Sequence, residues 1–373
     1  MEEAISIQAL KPQDSTAVRM MARRCFPLLH AHAVDPSEGG LLATVQGQPA
    51  AAAILREVHL PDGRRVGVVA WLLTDAEYRG RGLAGRLVAA AVDELSARGC
   101  DPVVTHIEGH NTASTNAFLR EGFTRAGPGR QWREFGLLGS AALWWRTRFV
   151  FDPGHFVWMR PAGIAVDQPV TQRPGAQRLA SWFLNLLFAT IAFMLGGGLL
   201  LGLAPRTPGL AELGALALAV GVLLGLREAA QHVADRVMGS PTMCFRMWES
   251  GFVFSAPVAL LFGALLPMPG GIYPCADGWR YPDYQGTFGM AALFSATAVA
   301  FAVLLAIGLR EMADGPTTGI LVTAFLMVGK PLLLFDTVVA CAPFHCFHAS
   351  RIFELDWRVW IVAAAIGLTL FLL

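Results

Sequence analysis

The pattern of hydrophobic and polar positions divides the chain into two parts of different character. Up to about residue 160, short apolar runs alternate with polar turns, as they do in mixed α/β domains. The predicted strands are Ile5–Ile7, Gly40–Val45, Ala51–Val58, Val66–Leu73, Pro102–Glu108, Arg130–Phe135 and His155–Met159. The predicted helices are Pro12–Leu29, Leu83–Arg98 and Ala113–Glu121. Residues 1–160 are therefore predicted to form one α/β domain.

Beyond residue 180 the apolar runs become much longer. A helix needs about 20 apolar residues to cross ~30 Å of hydrocarbon, and six runs reach or approach that length. They are Trp182–Ala204, Leu213–Leu226, Gly251–Pro267, Gly289–Leu309, Thr317–Ala342 and Val359–Leu373. Only 15% of all residues are charged, against about 25% in globular domains. We therefore predict a linker over 161–180 and an α-helical membrane domain of about six spans over 181–373.

Arginine residues are unevenly distributed around these spans. Those predicted on one side are Arg173, Arg178, Arg227, Arg236, Arg246 and Arg310, and those on the other are Arg206, Arg280 and Arg351. Because positive loops favour the cytoplasm, the N-terminal domain is predicted inside and the loop Pro269–Phe288 outside. The chain is thus predicted to be an integral inner-membrane protein. Its net charge of +1 gives no reason to expect nucleic acid as a partner.

Residues 137–151 combine aromatic and basic side chains on an apolar stretch. Trp144, Trp145, Arg146 and Arg148 lie in it. Such a composition suits a membrane-surface insert, because amphipathic aromatic residues and arginines favour the headgroup region. A core helix or a long hairpin is the alternative interpretation.

A glycine-rich loop, Tyr78–Ala84, follows one predicted strand and opens a predicted helix. In this position glycines let a ligand approach the backbone, and the N–H groups of the first helical turn offer donors and a positive dipole to an anion. The loop is therefore interpreted as a phosphate cradle, with an ordinary tight turn as the alternative. The family resemblance described next implies that a pyrophosphate is bound by Arg79, Gly80, Arg81, Gly82, Leu83 and Ala84.

Two motifs carry a resemblance to a known family. Arg79-x-x-Gly82-x-Ala84 resembles the (Arg/Gln)-x-x-Gly-x-(Gly/Ala) motif of the GNAT superfamily of N-acyltransferases. Further along the chain, the helix that begins after Asn111 and runs into Gly122-Phe123 resembles the second motif of that superfamily. The resemblance implies a splayed, mostly antiparallel sheet with flanking helices, and acetyl-CoA or another acyl-CoA as donor.

The resemblance also implies roles for individual residues. Backbone N–H groups around Leu72 and Leu73 would hold the cofactor arm and polarise the thioester carbonyl, and Asn111 would contact the arm. The catalytic candidates that could accept a proton from an amine are His106, Glu108 and His110. Many family members have a tyrosine seven residues after the asparagine, as acid for the leaving thiolate. Here that residue is Phe118, which cannot donate a proton.

The membrane part resembles the site-2 protease family of intramembrane zinc proteases over about 211–373. The resemblance rests on Arg227-Glu228-Ala229-Ala230-Gln231 and on Pro343-Phe344-His345-Cys346, where the family has His-Glu-x-x-His and a Pro-Phe-Asp-Gly-like motif. Both helix histidines are replaced, which predicts a pseudoprotease scaffold without proteolysis. The alternative is a relocated metal site, with candidate zinc ligands Glu228, His232, His345 and His348.

These observations predict a membrane-tethered N-acyltransferase, acetyl-transferring by default. Its acceptor would be an amine at the cytoplasmic membrane surface, on a peptide, a protein or an amino-lipid. Two other functions stay open. One is an intramembrane metalloprotease with atypical ligands, and the other is a non-catalytic acyl-CoA sensor, which Phe118 would favour.

Overall fold

The computed structural model describes residues 4–160, 174–196, 198–202, 204–312, 315–341 and 343–373. These residues form two units, and the predicted linker is described only from residue 174 onward. The first unit holds 4–149, 156–160 and 277–279, and the second holds 150–155, 174–276 and 280–373.

The first unit is built on a seven-stranded sheet. Its strands are β1 (Ile5–Ala9), β2 (Gly40–Val45), β3 (Gln48–His59), β4 (Arg65–Thr74), β5 (Val103–Glu108), β6 (Thr124–Arg125) and β7 (His155–Arg160). The spatial order is β1-β2-β3-β4-β5-β7-β6. Strands β1 to β4 are antiparallel neighbours, β4 and β5 are parallel, and β6 and β7 are antiparallel. The predicted mostly antiparallel α/β sheet with flanking helices is confirmed.

Five helices flank this sheet: α1 (Ser15–Cys25), α2 (Leu28–Ala33), α3 (Leu83–Ala97), α4 (Thr112–Arg120) and α5 (Pro128–Arg146). The single helix predicted over Pro12–Leu29 is divided in two. The break falls at Phe26, which is extended (φ −128°, ψ 154°). Pro27 explains it, because a proline lacks an N–H donor and disfavours helical geometry in the residue before it.

The strand predicted over Arg130–Phe135 is wrong, since this segment lies in α5. Pro128 occupies the first turn of the helix, where its missing N–H group costs nothing. Gln131, Phe135 and Leu143 are buried at helical spacing, at 0%, 4% and 0% exposure. The helix is kinked at Gly136, whose φ is +67°. Helical periodicity over a longer window than the predicted strand therefore decides the structure here.

Apolar side chains fill both faces of the sheet. On one face, Val66 and Val68 of β4 pack in a buried cluster with Phe135 and Leu143 of α5. Between these two valines, Gly67 faces the other side, where an added Cβ would lie 3.0 Å from Leu95 Cβ on α3. Helix α5 thus covers one face and α3 the other. Each fully buried Leu, Val or Phe contributes about 1.5–3 kcal/mol to folding.

Within its described residues, the second unit is helical apart from one two-stranded antiparallel sheet, which we call the hairpin and whose strands are separated by a helix. Its helices are α6 (Pro174–Leu195), α7 (Leu210–Val237), α8 (Gly251–Phe262), α9 (Tyr281–Met312), α10 (Pro316–Thr337), α11 (His348–Leu355) and α12 (Trp357–Leu372). The hairpin strands are β8 (Met243–Arg246) and β9 (Gly271–Pro274). Among the described residues, four helices are long and apolar enough to cross a membrane, namely α6, α7, α9 and α10.

The six-span prediction is therefore not confirmed. Helix α8 has 12 residues and spans about 18 Å at 1.5 Å per residue, short of the ~30 Å needed. It ends at Gly263, which is left-handed. The chain then returns to β9, which pairs antiparallel with β8. Because the segments before and after α8 are hydrogen-bonded to each other, the run Gly251–Pro267 enters and leaves on one side. The last predicted span is the 16-residue helix α12.

One end of the helical unit gathers the hairpin and several helix ends, and we call it the hairpin end. At this end the Gln177 side chain on α6 accepts a hydrogen bond from the backbone of Met247 at 3.3 Å. Arg178 on α6 donates to Glu228 on α7 at 2.9 Å. Cys244 and Cys275 form a disulfide across the hairpin, a pairing that sequence analysis did not predict. Since β9 lies beside β8, the loop predicted outside is on the same side as the end of α7.

Candidate active site

Strands β4 and β5 pair for only a short distance and then separate. The pairs are Gly67 with Val103 and Val68 with Val104. Thr105 continues the contact by donating its hydroxyl to the Val69 carbonyl at 2.9 Å. Beyond that point both strands run on, to Thr74 and Glu108. Two walls of backbone thus diverge into a cleft, as the resemblance implied.

A β-bulge lies where this cleft opens. On β3, the neighbours Ile54 and Leu55 face Trp71 and Val69, so that Ala70 is an extra residue on β4. A bulge leaves backbone groups unpaired and redirects the strand. The N–H groups predicted at Leu72 and Leu73 lie just beyond it. The bulge is a feature of the site that the sequence motifs did not reveal.

The glycine-rich loop lies at the end of β4 and leads into α3. Gly80 and Gly82 have φ of +80° and +75°, values that residues with a Cβ rarely adopt. An added Cβ at either glycine would meet nothing within 4 Å, so the space above the loop is open. The first bond of α3 runs from the Arg86 N–H to the Gly82 carbonyl at 3.2 Å. The N–H groups of Leu83, Ala84 and Gly85 therefore face outward from the first turn.

The surroundings of this loop are basic. Arg79 donates to the Thr74 carbonyl at 3.3 Å, and the Arg81 guanidinium lies 5.2 Å from the centre of the Tyr78 ring. Together with the dipole of α3, these arginines favour an anion. Cys25 lies close by, with its thiol 3.4 Å from the Thr74 carbonyl. Burial raises the pKa of the Cys25 thiol, so it stays protonated rather than acting as a nucleophile.

The proton-accepting candidates lie on the opposite wall of the cleft. His106 and Glu108 share one face of β5 by strand alternation, and both are half-buried. The His106 ring lies 4.5 Å from the ring of Phe149, and its Nε2 is 3.5 Å from the Thr147 hydroxyl. His110 is half-buried in the turn that follows β5. The structure thus brings His106 and Glu108 to one wall of the cleft.

Asn111 and Phe118 have structural roles in α4. The Asn111 side chain caps the helix by accepting a hydrogen bond from the Ser114 N–H at 3.2 Å. Phe118 is 1% exposed and packs edge-on against Phe123 at 4.9 Å between ring centres. The position where the family has a tyrosine is therefore an apolar packing position here.

The candidate metal ligands of the helical unit do not converge. Glu228 is engaged by Arg178, and His232 Nε2 lies 3.6 Å from the Glu228 carboxylate. His345 contacts the Ser350 hydroxyl at 3.4 Å, whereas His348 faces Asp336 at 3.4 Å. Among the described residues, no group of three or more His, Cys, Asp or Glu side chains is arranged to hold a metal ion.

A buried ion pair joins two helices of the helical unit close to the hairpin end. Arg227 of α7 donates to both carboxylate oxygens of Asp336 on α10, at 2.7 Å and 3.0 Å. It also donates to the Gly270 carbonyl at 3.0 Å. Arg227 is 3% exposed and Asp336 0%. The sequence carried a signal for this pair, because Asp336 lies inside one predicted apolar span and Arg227 directly follows another, and a charge in such a place needs a partner.

Comparisons with known proteins concern the first unit. The model of the Acetyltransferase (GNAT) family matches residues 10–123. N-alpha-acetyltransferase 30 of Saccharomyces cerevisiae is 34% identical over 59 residues, which are 16% of this chain and 34% of that protein. The match thus spans about a third of that relative's length.

Solved structures also align with this unit. The ribosomal-protein-S18-alanine N-acetyltransferase from Escherichia coli is 19% identical, with a TM-score of 0.32 over 44% of this chain and 99% of that chain. Arabidopsis thaliana Naa50, in complex with the bisubstrate analogue CoA-Ac-MVNAL, is 15% identical with a TM-score of 0.32, over 42% of this chain and 97% of that chain. The family match supports one conclusion, that the N-terminal part of the chain is a GNAT acetyltransferase domain.

Proposed function

We propose that the protein is an acyl-CoA-dependent N-acyltransferase, acetyl-transferring by default, whose amine acceptor lies at the cytoplasmic membrane surface. The observation that carries the proposal is the cleft between β4 and β5, with an open phosphate loop at its end. Its residues belong to the matched family region, which covers residues 10–123.

The geometry of the cleft suits acyl-CoA as substrate. The outward N–H groups of Leu83, Ala84 and Gly85 and the charges of Arg79 and Arg81 would hold the pyrophosphate. The arm would then run along β4 toward the bulge at Ala70. There, backbone N–H groups would polarise the thioester carbonyl, on which negative charge develops during attack.

Glu108 is the group that we assign as general base. The amine attacks the carbonyl carbon, so that a C–N bond forms and the C–S bond breaks. Glu108, on the cleft wall, takes the proton that the amine loses, directly or through one water. Phe118 cannot protonate the leaving thiolate. A thiolate with an ordinary pKa of about 8.5 leaves without a strong acid, so water can supply the proton.

The arginine distribution supports a cytoplasmic location for the first unit. Its covalent connection enters α6 at the hairpin end. The arginines of that end are Arg178, Arg236, Arg246, Arg280, Arg351 and Arg358. The opposite end, where α6 meets the start of α7 and α9 meets α10, has Arg206 and Arg310. Positive residues favour the cytoplasm, where acyl-CoA is available.

The exposed face of α5 is a second argument that the reaction takes place at the membrane surface. Leu137, Leu138 and Trp145 are 69%, 78% and 67% exposed. Leu138, Ala141 and Trp145 lie on one face at helical spacing, and Arg146 is exposed beside them. An exposed apolar face with an arginine at its rim suits the headgroup region of a bilayer. We propose that this face, within the predicted insert 137–151, rests on the membrane.

Turnover by the purified full chain in detergent micelles tests the proposal. Acetyl-CoA and a panel of amines are supplied, and CoA release is followed. The variant Glu108→Gln should lower kcat by about 100-fold, within the range for loss of a general base, and leave acetyl-CoA affinity unchanged. Glu121→Gln is the matched control, since Glu121 is also half-buried but lies at the end of α4.

Other outcomes discriminate the alternatives. Acetyl-CoA binding without turnover of any amine would favour the acyl-CoA sensor. Stoichiometric zinc together with peptide cleavage would favour the metalloprotease. Full activity in Glu108→Gln would contradict the assignment of Glu108 as the general base, but it would leave the proposed transferase activity intact.

A further inference from the structure

A polar cavity of about 280 Å³ lies within the first unit, apart from the phosphate loop. It is lined by Arg19, His32, Ala33, Val34, Asp35, Glu38, Arg56 and Arg148. Arg56 lies on the same face of β3 as Ile54 and Val58, which pack toward α1 and α5. The cavity therefore opens on the sheet face that α1, α2 and α5 cover.

Two of its arginines are already paired with carboxylates. Arg19 lies 3.4 Å from Asp35, and Arg56 is hydrogen-bonded to Glu38. Hydrogen bonds from Ser37 lower the pKa of Asp35, so this carboxylate stays charged and keeps its arginine. Two positive and two negative charges thus offset each other on the cavity wall.

Arg148 adds a further positive charge. Within the described part of the chain, its guanidinium makes no ion pair with a carboxylate. With three arginines against two acids, these side chains carry one excess positive charge. A small polar cavity with excess positive charge is suited to an anionic group.

The backbone of Arg148 is strained. Its φ is +61°, and it follows Thr147, the C-cap residue of α5. Helices commonly end on a left-handed residue of this kind, but the residue is usually glycine, because the Cβ of any other residue crowds the backbone in this conformation. An arginine in this place suggests that its side chain has a use, since strain of this type concentrates at functional sites.

Arg148 lies between two residues that contact the wall of the cleft. Its neighbour Thr147 contacts His106, and the next residue, Phe149, packs on the ring of His106. His106 shares the cleft wall with Glu108. The cavity and these two cleft residues lie on the same face of the sheet, since Val58, Val68 and Val104 on that face belong to one buried cluster. An anion held by Arg148 would therefore lie on the sheet face from which Glu108 takes the proton of the amine.

We infer that the acceptor is an amine that also carries an anionic group, a carboxylate or a phosphate, and that Arg148 binds this group. The inference rests on the proposed N-acyltransferase function and names its substrate class. Arg148 is a specificity-determining residue here, because it fixes the acceptor without touching the reacting atoms.

Paired acceptors test the inference on the full chain in detergent micelles. The pairs are amino acids with their carboxamides, and phosphoethanolamine with ethanolamine; vesicles of phosphatidylethanolamine form a separate arm that distinguishes a lipid from a soluble acceptor. In the parent protein, the anionic member of one pair should have a KM lower by about 10- to 100-fold, as expected for a charge-assisted contact.

The variant Arg148→Gly should abolish this preference while the KM for acetyl-CoA stays unchanged, because the donor binds at the separate phosphate loop. Glycine adopts the left-handed conformation freely, so the melting temperature should not fall and misfolding is not a confounding cause. Arg148→Lys should keep part of the preference, since it retains the charge without the two-pronged geometry. Gln46→Gly is the matched control, because Gln46 is also left-handed (φ +51°) but lies in the turn between β2 and β3.

Equal KM values within every pair, or a preference that survives in Arg148→Gly, would overturn the inference. A second measurement separates it from the proposed function. Inorganic phosphate is titrated with the phosphate loop saturated by CoA. If no amine is acylated, the proposed function fails, and phosphate binding that disappears in Arg148→Gly would still support the anion site. A parent protein that binds no phosphate under these conditions, and acylates nothing, would contradict the site as well.

Discussion

Gly80 and Gly82 let a ligand come close to the backbone of the phosphate loop. Both need left-handed backbone, and both leave open space where a side chain would stand. The place of this loop between β4 and α3 could be predicted because two glycines, two arginines and a following helix are local features. Its role in phosphate binding stays a prediction. The bulge at Ala70 was not predictable, since it depends on the register between β3 and β4, which is a property of two strands together.

At this scale we predict that Gly82→Glu abolishes acyl-CoA binding. The glutamate would place its side chain and a negative charge in the phosphate position, and affinity should fall by about 100-fold or more. The measurement is acetyl-CoA binding by isothermal titration calorimetry on the full chain.

Gly63→Glu is the control for this prediction. Gly63 has a similar φ of +85° and equally open surroundings, but it lies at the other end of β4. Both variants carry the same backbone strain, about 1–2 kcal/mol. Similar loss of affinity in the two would mean that strain, rather than occupation of the loop, is the cause.

Helix α5 is the element whose exposed apolar face we propose to contact the membrane. We predict that a fluorophore on Ala141→Cys, in an otherwise cysteine-free chain in lipid nanodiscs, is quenched by brominated lipid. The reason is that Ala141 lies between Leu138 and Trp145 on the exposed apolar face. Ala97→Cys is the control, because Ala97 is an equally exposed alanine at the end of α3, on the other side of the sheet. Equal quenching at both positions would remove the membrane-surface assignment.

Helices α7 and α10 are joined by the buried pair of Arg227 and Asp336. We predict that Arg227→Met costs about 3–5 kcal/mol of unfolding free energy, because it leaves a buried carboxylate without its partner. The double variant Arg227→Met/Asp336→Leu should recover most of that loss, since neither charge remains. Thermal unfolding of the full chain in one detergent measures both.

Arg310→Met provides the comparison. Arg310 pairs with Glu311 at 3.3 Å, but both side chains are exposed, and such pairs contribute about 0–1 kcal/mol. A double variant that is less stable than Arg227→Met alone would show that the pair is not the reason for the effect.

Apolar runs could not distinguish a complete crossing from a partial one. Gly251–Pro267 has the composition of a span, yet only Gly251–Phe262 is helical and the chain returns to pair β9 with β8. Two strands that pair across an intervening helix show no hydrophobic periodicity in the sequence that would reveal the pairing. The four long helices were predictable, because length and apolarity are enough to identify them.

On the scale of the whole molecule, the hairpin changes how the arginines are assigned to sides. Arg280 lies between β9 and α9. The Arg351 side chain donates a hydrogen bond to the Tyr281 hydroxyl at 2.8 Å, so both arginines belong to the hairpin end. The sequence prediction had assigned these two arginines to the outside. With the four candidate spans the asymmetry becomes larger than the sequence prediction assumed, and it favours a cytoplasmic hairpin end. The disulfide between Cys244 and Cys275 is the opposing observation, because disulfides persist mainly in oxidising compartments such as the periplasm.

We therefore predict that Cys275 faces the cytoplasm, contrary to the outside location expected for the loop Pro269–Phe288. In a chain that keeps Cys275 alone, with Cys244→Ser to free it from the disulfide, a membrane-impermeant maleimide should label it only after the cells are permeabilised. Thr207→Cys, in a chain without other cysteines, is the control: Thr207 is exposed between α6 and α7, at the opposite end, and should label in intact cells. Labelling of Cys275 in intact cells would place the hairpin end outside. Because the first unit joins α6 at that end, it would then lie away from cytoplasmic acyl-CoA, and the proposed transferase would lose its donor.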